Sequence, residues 1–457
     1  MNILFIVSDT LRRDYLGCYG SPRGLTPNID SLASRSIVFD RYYAGSFPTV
    51  PARADLHLGK WTFTFMGWDP LPPGEVPLAA VLAGAGYQTV GVVDTPFFVH
   101  DGFNYDRGFD HFYDLDTQHI GSSRATRSPL VPRFRRSEHD YAAPRTFILA
   151  EQSLERIYRR PFFLYVDTWD PHEPWDPPDW YVPELRPDRQ VRRVDPTYGN
   201  WREAGVTEDD LEMARLCYAG EIRMVDRWVG RLLERLRSLG VLDETAIVLT
   251  SDHGFYFGEH DLFGKMIRSN TKRSATGEEQ AWGPDDRVWR RSPLYEEVAH
   301  VPLIVHVPGL SPRRVPALAS AVDVMPTIME LAGAPPRDDL HGHSLVPLLR
   351  GETEEERAFV VTSMPLTNPG SPVRVVDDVL RRVVEFQPAT ITTREWALLY
   401  AAEGQPVELY RLDVDPAQAT DLAGQHADVV ARLHEMYVRL LERVRTSDEL
   451  VTPRRRL

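Results

Sequence analysis

Short runs of β-branched and aromatic residues end abruptly in polar punctuation along this chain, and the longer stretches between them repeat apolar residues every three or four positions. The clearest short runs are Asn2 to Ser8, Phe162 to Asp167, Ala246 to Ser251 and Val301 to Val307. Each is apolar on both of the faces that a strand presents, the pattern of strands buried between helices in a mostly parallel sheet. Leu211, Ala214, Tyr218, Ile222, Val225, Val229, Leu232, Leu233 and Leu236 recur mostly at helical steps, which predicts a helix from about Asp209 to Leu239 ended by Gly240. A shorter helix is expected over Val50 to Leu58, with Pro51 in its first turn and Gly59 as its stop. This alternation predicts an α/β catalytic domain over residues 1–355, built on a large doubly wound sheet flanked by helices.

After the acidic turn Glu352 to Glu356 the texture changes. Phe359 to Thr362, Val373 to Val384, Ala397 to Ala401 and Val407 to Leu412 read as a small antiparallel sheet, closed by an amphipathic helix from about Asp428 to Val444. Residues 356–457 are therefore expected to form a smaller α+β subdomain. Gln118 to Arg145 and Met266 to Arg291 read as long loops of the kind that gate sites.

Composition narrows the function. With 457 residues the chain is long enough for one large core and a second, smaller one. A formal net charge of -14 argues against nucleic-acid binding, which depends on basic faces that release phosphate counterions. Two cysteines, Cys18 and Cys217, give no disulfide framework and point to reduced thiols in a cytoplasm. The apolar run Ile3 to Val7 is too short for a signal peptide or a membrane span. Pro453 to Leu457 is expected to be a frayed basic end. Self-association is left open.

Candidate chemistry lies just beyond the strand ends, where ligands bind in open α/β sheets. Asp9 follows the first strand, and Asp252 and His253 follow Ala246 to Ser251. Two carboxylates and an imidazole converging there suit one divalent cation, with the Thr49 hydroxyl as a further ligand. Thr49 opens the predicted helix, where N–H groups and the helix dipole favour an anion, and a bound cation lowers the pKa of a coordinated hydroxyl. Arg53 offers an anion a planar fork and Lys60 a point charge. In Asp170-Pro171-His172-Glu173-Pro174, His172 is placed to protonate a leaving oxygen. In Gly258-Glu259-His260-Asp261-Leu262-Phe263-Gly264-Lys265, Lys265 and His260 are candidates to bind the substrate's charged group. Taken singly, each residue also has an ordinary role: Asp9 or Thr49 as a helix cap, His172 or Lys265 as surface polarity.

Together these residues resemble the sulfatase branch of the alkaline phosphatase superfamily. The matching blocks run in order: IVSDTLRRDYLGCYG, TVPAR with LGK, GYQTVGVV, FFLYVDTWDPHEPWDPP, VLTSDHGFYFGEHDLFGK, SPLYEEVAHVPLIVHVPG, DVMPTIMELAG with LHGHSLVPLL, and ELYRLDVDP. The resemblance implies a single divalent metal held by Asp9, Asp252 and His253, Thr49 as nucleophile, and Arg53, His172 and Lys265 as groups that hold or protonate the ester.

The sequence departs from the sulfatase pattern in ways that point in one direction. Thr49 stands where the family has a cysteine or serine that is oxidised to formylglycine, and a secondary alcohol cannot mature in that way, so no formylglycine is expected. Thr10 replaces the second aspartate of the usual pair. His253 replaces a frequent asparagine, which favours Mn²⁺ or Zn²⁺ over Ca²⁺. Val93-Asp94-Thr95-Pro96 replaces the segment whose lysine and histidine grip sulfate. The spare histidines supply no residue pair that places a second metal. A sulfated threonine has no carbonyl-forming exit, whereas a phosphorylated one can be cleared by in-line attack. The expected activity is a metal-dependent hydrolase of a small anionic phosphate ester, a phosphodiester or phosphonate monoester. The alternatives are a sulfuric ester hydrolase, a phospho-transferase, or a non-catalytic sulfatase-like binding protein.

Overall fold

All seven residues of strand β1 (Asn2–Ser8) are buried, because the strand lies inside a sheet covered on both faces. Leu4 and Ile6 enter one apolar core while Ile3, Phe5 and Val7 enter another, as strand alternation requires. The computed structural model describes the chain except residues 95–102, 116–136, 185–190, 193–194, 270, 274–278, 282–287, 291, 356, 369–370, 375–379, 383–387 and 403–405.

The sheet adds β2 (Ile37–Tyr43), β3 (Gln88–Val93), β4 (His111–Asp114), β5 (Phe162–Thr168), β6 (Thr245–Thr250), β7 (Leu303–His306) and β8 (Arg313–Ser320), in the order β8-β2-β7-β6-β1-β5-β3-β4. Neighbours run parallel except around β7, which is antiparallel to both β2 and β6. This is the doubly wound, mostly parallel α/β sheet that the alternation of elements predicts. Register places Val7 opposite Asp167 on one side and Thr250 on the other, so Asp9, Asp167 and Asp252 emerge at one edge.

Helices α1 (Thr49–Leu58), α2 (Ala142–Ile157) and α3 (Glu208–Ser238) cover the sheet with α4 (Val324–Leu331). A reciprocal Thr207–Asp210 capping box starts α3 within one residue of its expected position. Helix α2 corrects only the end of the segment read as a loop from Gln118 to Arg145, since it begins at Ala142 and packs Phe147, Ala150 and Leu154 into the core around α3, while Gln118 to Arg136 lies outside the described residues. The segment read as a loop from Met266 to Arg291 contains two short antiparallel ribbons, Ile267–Ser269 with Val288–Arg290 and Thr271–Arg273 with Glu279–Ala281. Its Trp282-Gly283-Pro284 lies outside the described residues, as do Thr95 and Pro96.

The C-terminal sheet comprises β9 (Val360–Ser363), β10 (Ala389–Thr392), β11 (Trp396–Tyr400) and β12 (Glu408–Arg411), all antiparallel, with α5 (Ala427–Arg443) against it. The second strand is β10 and not Val373 to Val384, where Pro372–Arg374 and Leu380–Arg382 pair with each other instead. Short polar ATIT carries little apolar signal, yet all four residues are buried once neighbours flank both edges. The sheet is tied to the main body at a decisive place: Ser363 N donates to Gly45 O at 2.8 Å and Phe47 N to Ser363 O at 2.9 Å, just before Thr49. The basic C-terminus is not frayed at Arg454, which is 2% exposed and donates through Nη2 to Thr367 O at 2.9 Å. Cys18 and Cys217 form no disulfide. Among the described residues no helix is long and apolar enough to cross a membrane.

Candidate active site

The chain leaves β1 through a strained turn. Thr10 has φ 59°, a left-handed conformation that costs a β-branched residue on the order of 1–3 kcal/mol. Thr10 N donates to Asp252 Oδ1 at 3.0 Å, and Tyr218 Oη donates to Thr10 O at 2.7 Å. The Thr10 hydroxyl donates to Asp9 Oδ1 at 2.6 Å. One turn thus fixes both carboxylates from the ends of β1 and β6.

Helix α1 delivers Thr49. Its cap position is Pro48, so the Thr49 hydroxyl does not cap the helix. It reaches His253 Nε2 at 3.3 Å and is buried, with 2% exposure. His253 Nδ1–H donates to Gly254 O at 3.1 Å, which leaves Nε2 as the acceptor of the Thr49 proton. A side chain at position 254 would collide with Glu297 O, since a Cβ there would lie 1.9 Å from it. Glycine lets the backbone carrying His253 run against that carbonyl.

Arg53, one turn beyond Thr49, is fully buried among three carboxylates. Nε and Nη2 donate to Asp167 at 2.9 and 2.8 Å, and Nη1 lies 2.9 Å from Asp9 Oδ2 and also donates to Asp252. The guanidinium charge is thereby spent on the protein before any ester arrives, so Arg53 organises the carboxylates more directly than it offers a fork to substrate. Burial opposes the charge of Asp252, but Arg53 beside it prevails and holds its pKa at about 2. Burial, and then the charge of Asp252, push Asp9 well above the usual carboxylate range. Burial lowers His253 to about 3, so its imidazole is neutral.

On the other side of Thr10, Lys265 Nζ lies 3.4 Å from the Thr10 hydroxyl and 3.7 Å from Glu173 Oε1. His172 Nδ1–H donates to Glu173 O at 2.6 Å, and its ring lies on Trp169 with centroids 3.7 Å apart. Burial, then Lys265, push the His172 pKa well below its ordinary value. Asp94, at the end of β3, accepts the hydroxyls of Thr146 and Thr168 and the Trp169 N–H, anchoring that tryptophan.

Two of the residues expected at the site are engaged elsewhere. Lys60 follows the far end of α1, roughly 15 Å along the axis from Thr49 by helical rise. There it forms ion pairs of 2.8 Å with Glu75 and with Asp339. His260 stacks on Tyr295, with centroids 3.8 Å apart, and its Nε2 lies 3.3 Å from Glu297 Oε2. Conversely, sequence reasoning passed over Asp167 and Glu173. Asp167 had a signal, a carboxylate inside an otherwise apolar buried strand, which requires a cation close by.

Asp9, Asp252 and His253 offer ligand atoms that all lie within 4.8 Å of one another. The fit to a divalent cation is chemical as well as geometric. His253 Nε2 and Asp252 Oδ2 face each other at 3.2 Å although both are acceptors, and buried Asp9 Oδ2 makes no hydrogen bond beyond its 2.9 Å ion pair with Arg53 Nη1. Acceptors converging in this way suit a shared cation. The sulfatase family is divalent-metal dependent, and this group is where the chain would hold the ion.

Residues 1–334 match the family model described as Sulfatase. The chain is 23% identical over 468 residues to arylsulfatase K of Bos taurus, an alignment covering 95% of this chain and 80% of that one. It is 26% identical over 471 residues to choline-sulfatase of Rhizobium meliloti (strain 1021), covering 92% and 82%. In fold it resembles the phosphonate monoester hydrolase of Agrobacterium radiobacter, with a TM-score of 0.72, 22% identity, and coverage of 97% of this chain and 96% of that one. The eight-stranded sheet, the carboxylate–imidazole cluster at its edge and the match over residues 1–334 together establish that this chain belongs to the sulfatase family, as a hydrolase acting on ester bonds.

Proposed function

We propose that this hydrolase cleaves monoanionic phosphorus esters, a phosphodiester or a phosphonate monoester, with Thr49 as its nucleophile. The observation that carries the reading is the Thr49 hydroxyl, buried at the start of α1 and 3.3 Å from His253 Nε2 beside Asp9 and Asp252. A threonine there works as an alcohol or not at all.

Charge supports a monoanionic substrate. Once a bound cation has displaced the proton of Asp9, the carboxylates Asp9, Asp167, Asp252 and Glu173 face two cations, Arg53 and Lys265, an excess of two negative charges among these residues. A divalent cation, Mn²⁺ or Zn²⁺ in preference to Ca²⁺, would offset that excess, polarise the ester and lower the pKa of the Thr49 hydroxyl. Among these described residues no cation is then left over, so every charge on the substrate is unmatched and a phosphate monoester dianion carries one more than a monoanionic ester.

In the first step the Thr49 hydroxyl proton passes to water, Oγ1 bonds to phosphorus, and the bond to the leaving oxygen breaks. His172, which takes up a proton from water at Nε2 once the anionic substrate is bound, gives it to that oxygen, and Lys265 steadies the charge on the non-bridging oxygens. Water then attacks phosphorus, breaks its bond to Oγ1, and restores the alcohol. An acceptor alcohol in place of water would make the enzyme a transferase.

Sulfuric esters are the second reading, favoured by the similarity to arylsulfatase K and choline-sulfatase and by the single charge that a sulfate ester carries. The test compares 4-nitrophenyl phenylphosphonate, bis(4-nitrophenyl) phosphate and 4-nitrophenyl sulfate with Mn²⁺, Zn²⁺ and Ca²⁺ in turn. Phosphorus esters should have the higher kcat/KM; faster sulfate release would reverse the assignment. Should no ester be cleaved, or Thr49→Ala hydrolyse each as fast as the parent, a binding protein is the better description.

A further inference from the structure

We propose that Glu173 is a positioning residue whose carboxylate holds His172 and Lys265 together and makes the site discriminate against dianions; this rests on the hydrolase reading above. The geometry is that of a bridge. Glu173 is 5% exposed, its Oε2 lies 3.3 Å from His172 Nδ1 and its Oε1 lies 3.7 Å from Lys265 Nζ. The two oxygens of one carboxylate thus face the two groups assigned to the leaving oxygen and to the substrate's charge.

The consequence for His172 is orientation. The backbone carbonyl of Glu173 accepts Nδ1–H at 2.6 Å, its carboxylate lies on the same edge of the ring, and Trp169 fixes the ring plane. Nε2 is left as the nitrogen that exchanges a proton with the leaving oxygen. The charged groups facing this imidazole from other elements are Lys265, His253 when protonated and Arg53, and all three disfavour a second positive charge. Glu173 brings the opposite sign, which favours the imidazolium needed to protonate a poor leaving group. When His172 Nε2–H gives up its proton to the leaving oxygen the ring becomes neutral, and water returns the proton afterwards.

The consequence for Lys265 is a charge already half matched. A substrate with one negative charge meets a lysine that still has a carboxylate beside it, while a dianion meets that carboxylate's repulsion without a second cation to offset it.

The experiment uses the full-length, metal-loaded enzyme with Glu173→Gln, which keeps the shape and removes the charge, and Glu173→Asp, which keeps the charge. Calorimetry compares inorganic phosphate at a pH where it is a dianion with monomethyl methylphosphonate as the monoanion. Glu173→Gln should raise the affinity for phosphate relative to the monoanion about tenfold, and Glu173→Asp should leave the ratio close to that of the parent. In parallel, kcat for a methyl ester should fall about tenfold or more in Glu173→Gln, with less than about a threefold change for the 4-nitrophenyl ester, whose leaving group needs no acid. If the parent binds an anion but its dianion-to-monoanion ratio is the same in the Gln variant, or both esters slow equally, Glu173 is merely structural and the inference is overturned while the hydrolase reading stands. If the parent binds neither anion and cleaves no ester, the hydrolase reading fails and takes the inference with it. Where the Gln variant does not fold, a dianion-to-monoanion ratio in the Asp variant that departs from the parent's overturns the proposal, and preservation of that ratio with the leaving-group dependence supports it.

Discussion

Replacing Arg53 with methionine removes one charge from a cluster that no solvent reaches. Arg53, Asp9, Asp167 and Asp252 have fully buried side chains, and the guanidinium lies within ion-pair distance of all three carboxylates. Breaking a buried pair by deleting one partner costs about 3–5 kcal/mol, because the remaining charge is left uncompensated. Unfolding entropy is about 2.1 cal/mol/K per residue, so a chain of 457 residues carries about 1 kcal/mol/K and the melting temperature should fall by only about 3–5 °C. The pH dependence is the sharper sign. In the parent, Asp252 sits at about 2, so its favourable contribution is present above the unfolded value near 3.8 and is lost only as pH falls toward 2. Without Arg53 the folded carboxylates bind protons more readily, so the penalty is greatest at high pH and shrinks as pH falls from 8 to 5. Added Mn²⁺ should shrink it too, by supplying the missing positive charge. Scanning calorimetry at pH 5 and pH 8, with and without Mn²⁺, reads all of this. A variant that melts within 1 °C of the parent, or a gap indifferent to both pH and cation, would refute the claim that Arg53 offsets the cluster's charge.

Thr49→Ala should lower turnover by at least about a thousandfold, while Thr49→Ser keeps it within about tenfold; equal loss in both would show that the hydroxyl is not the nucleophile. His253→Asn should lower the affinity for Mn²⁺ relative to Ca²⁺ by about tenfold or more by calorimetry, and an unchanged ratio would remove the imidazole from the ligand set. Because Asp9 is pushed well above the usual carboxylate range, cation binding should release a proton from it at pH values below its folded pKa, seen as dependence of binding heat on buffer ionisation enthalpy; buffer-independent heats at pH 5 would contradict this. Lys60→Ala should leave kcat/KM within about twofold and cost about 1 kcal/mol or less, since its ion pairs with Glu75 and Asp339 are partly exposed; a large fall in kcat/KM would return Lys60 to the substrate.

What the sequence determined by itself is whatever depends on residues close together along the chain. The strand Asn2–Ser8 and the helix Glu208–Ser238 are legible because apolar periodicity and the Gly240 stop are local properties. Asp9, Asp252 and His253 are legible as candidates because each directly follows an apolar run that must end at the sheet's edge. Strand β10 was not, since ATIT is buried only by neighbours on both sides. Nor were the carboxylate partners of Arg53, because the sequence does not show that a parallel register brings Asp167 to the same edge as Asp9 and Asp252. Lys60 shows the converse: its nearness to Thr49 in the sequence suggested a shared site, but α1 carries it to the opposite end and into other ion pairs. Residue type and local pattern fix which side chains can do chemistry; which of them share an electrostatic environment depends on strand register and helix direction, and those are settled only when distant segments pack together.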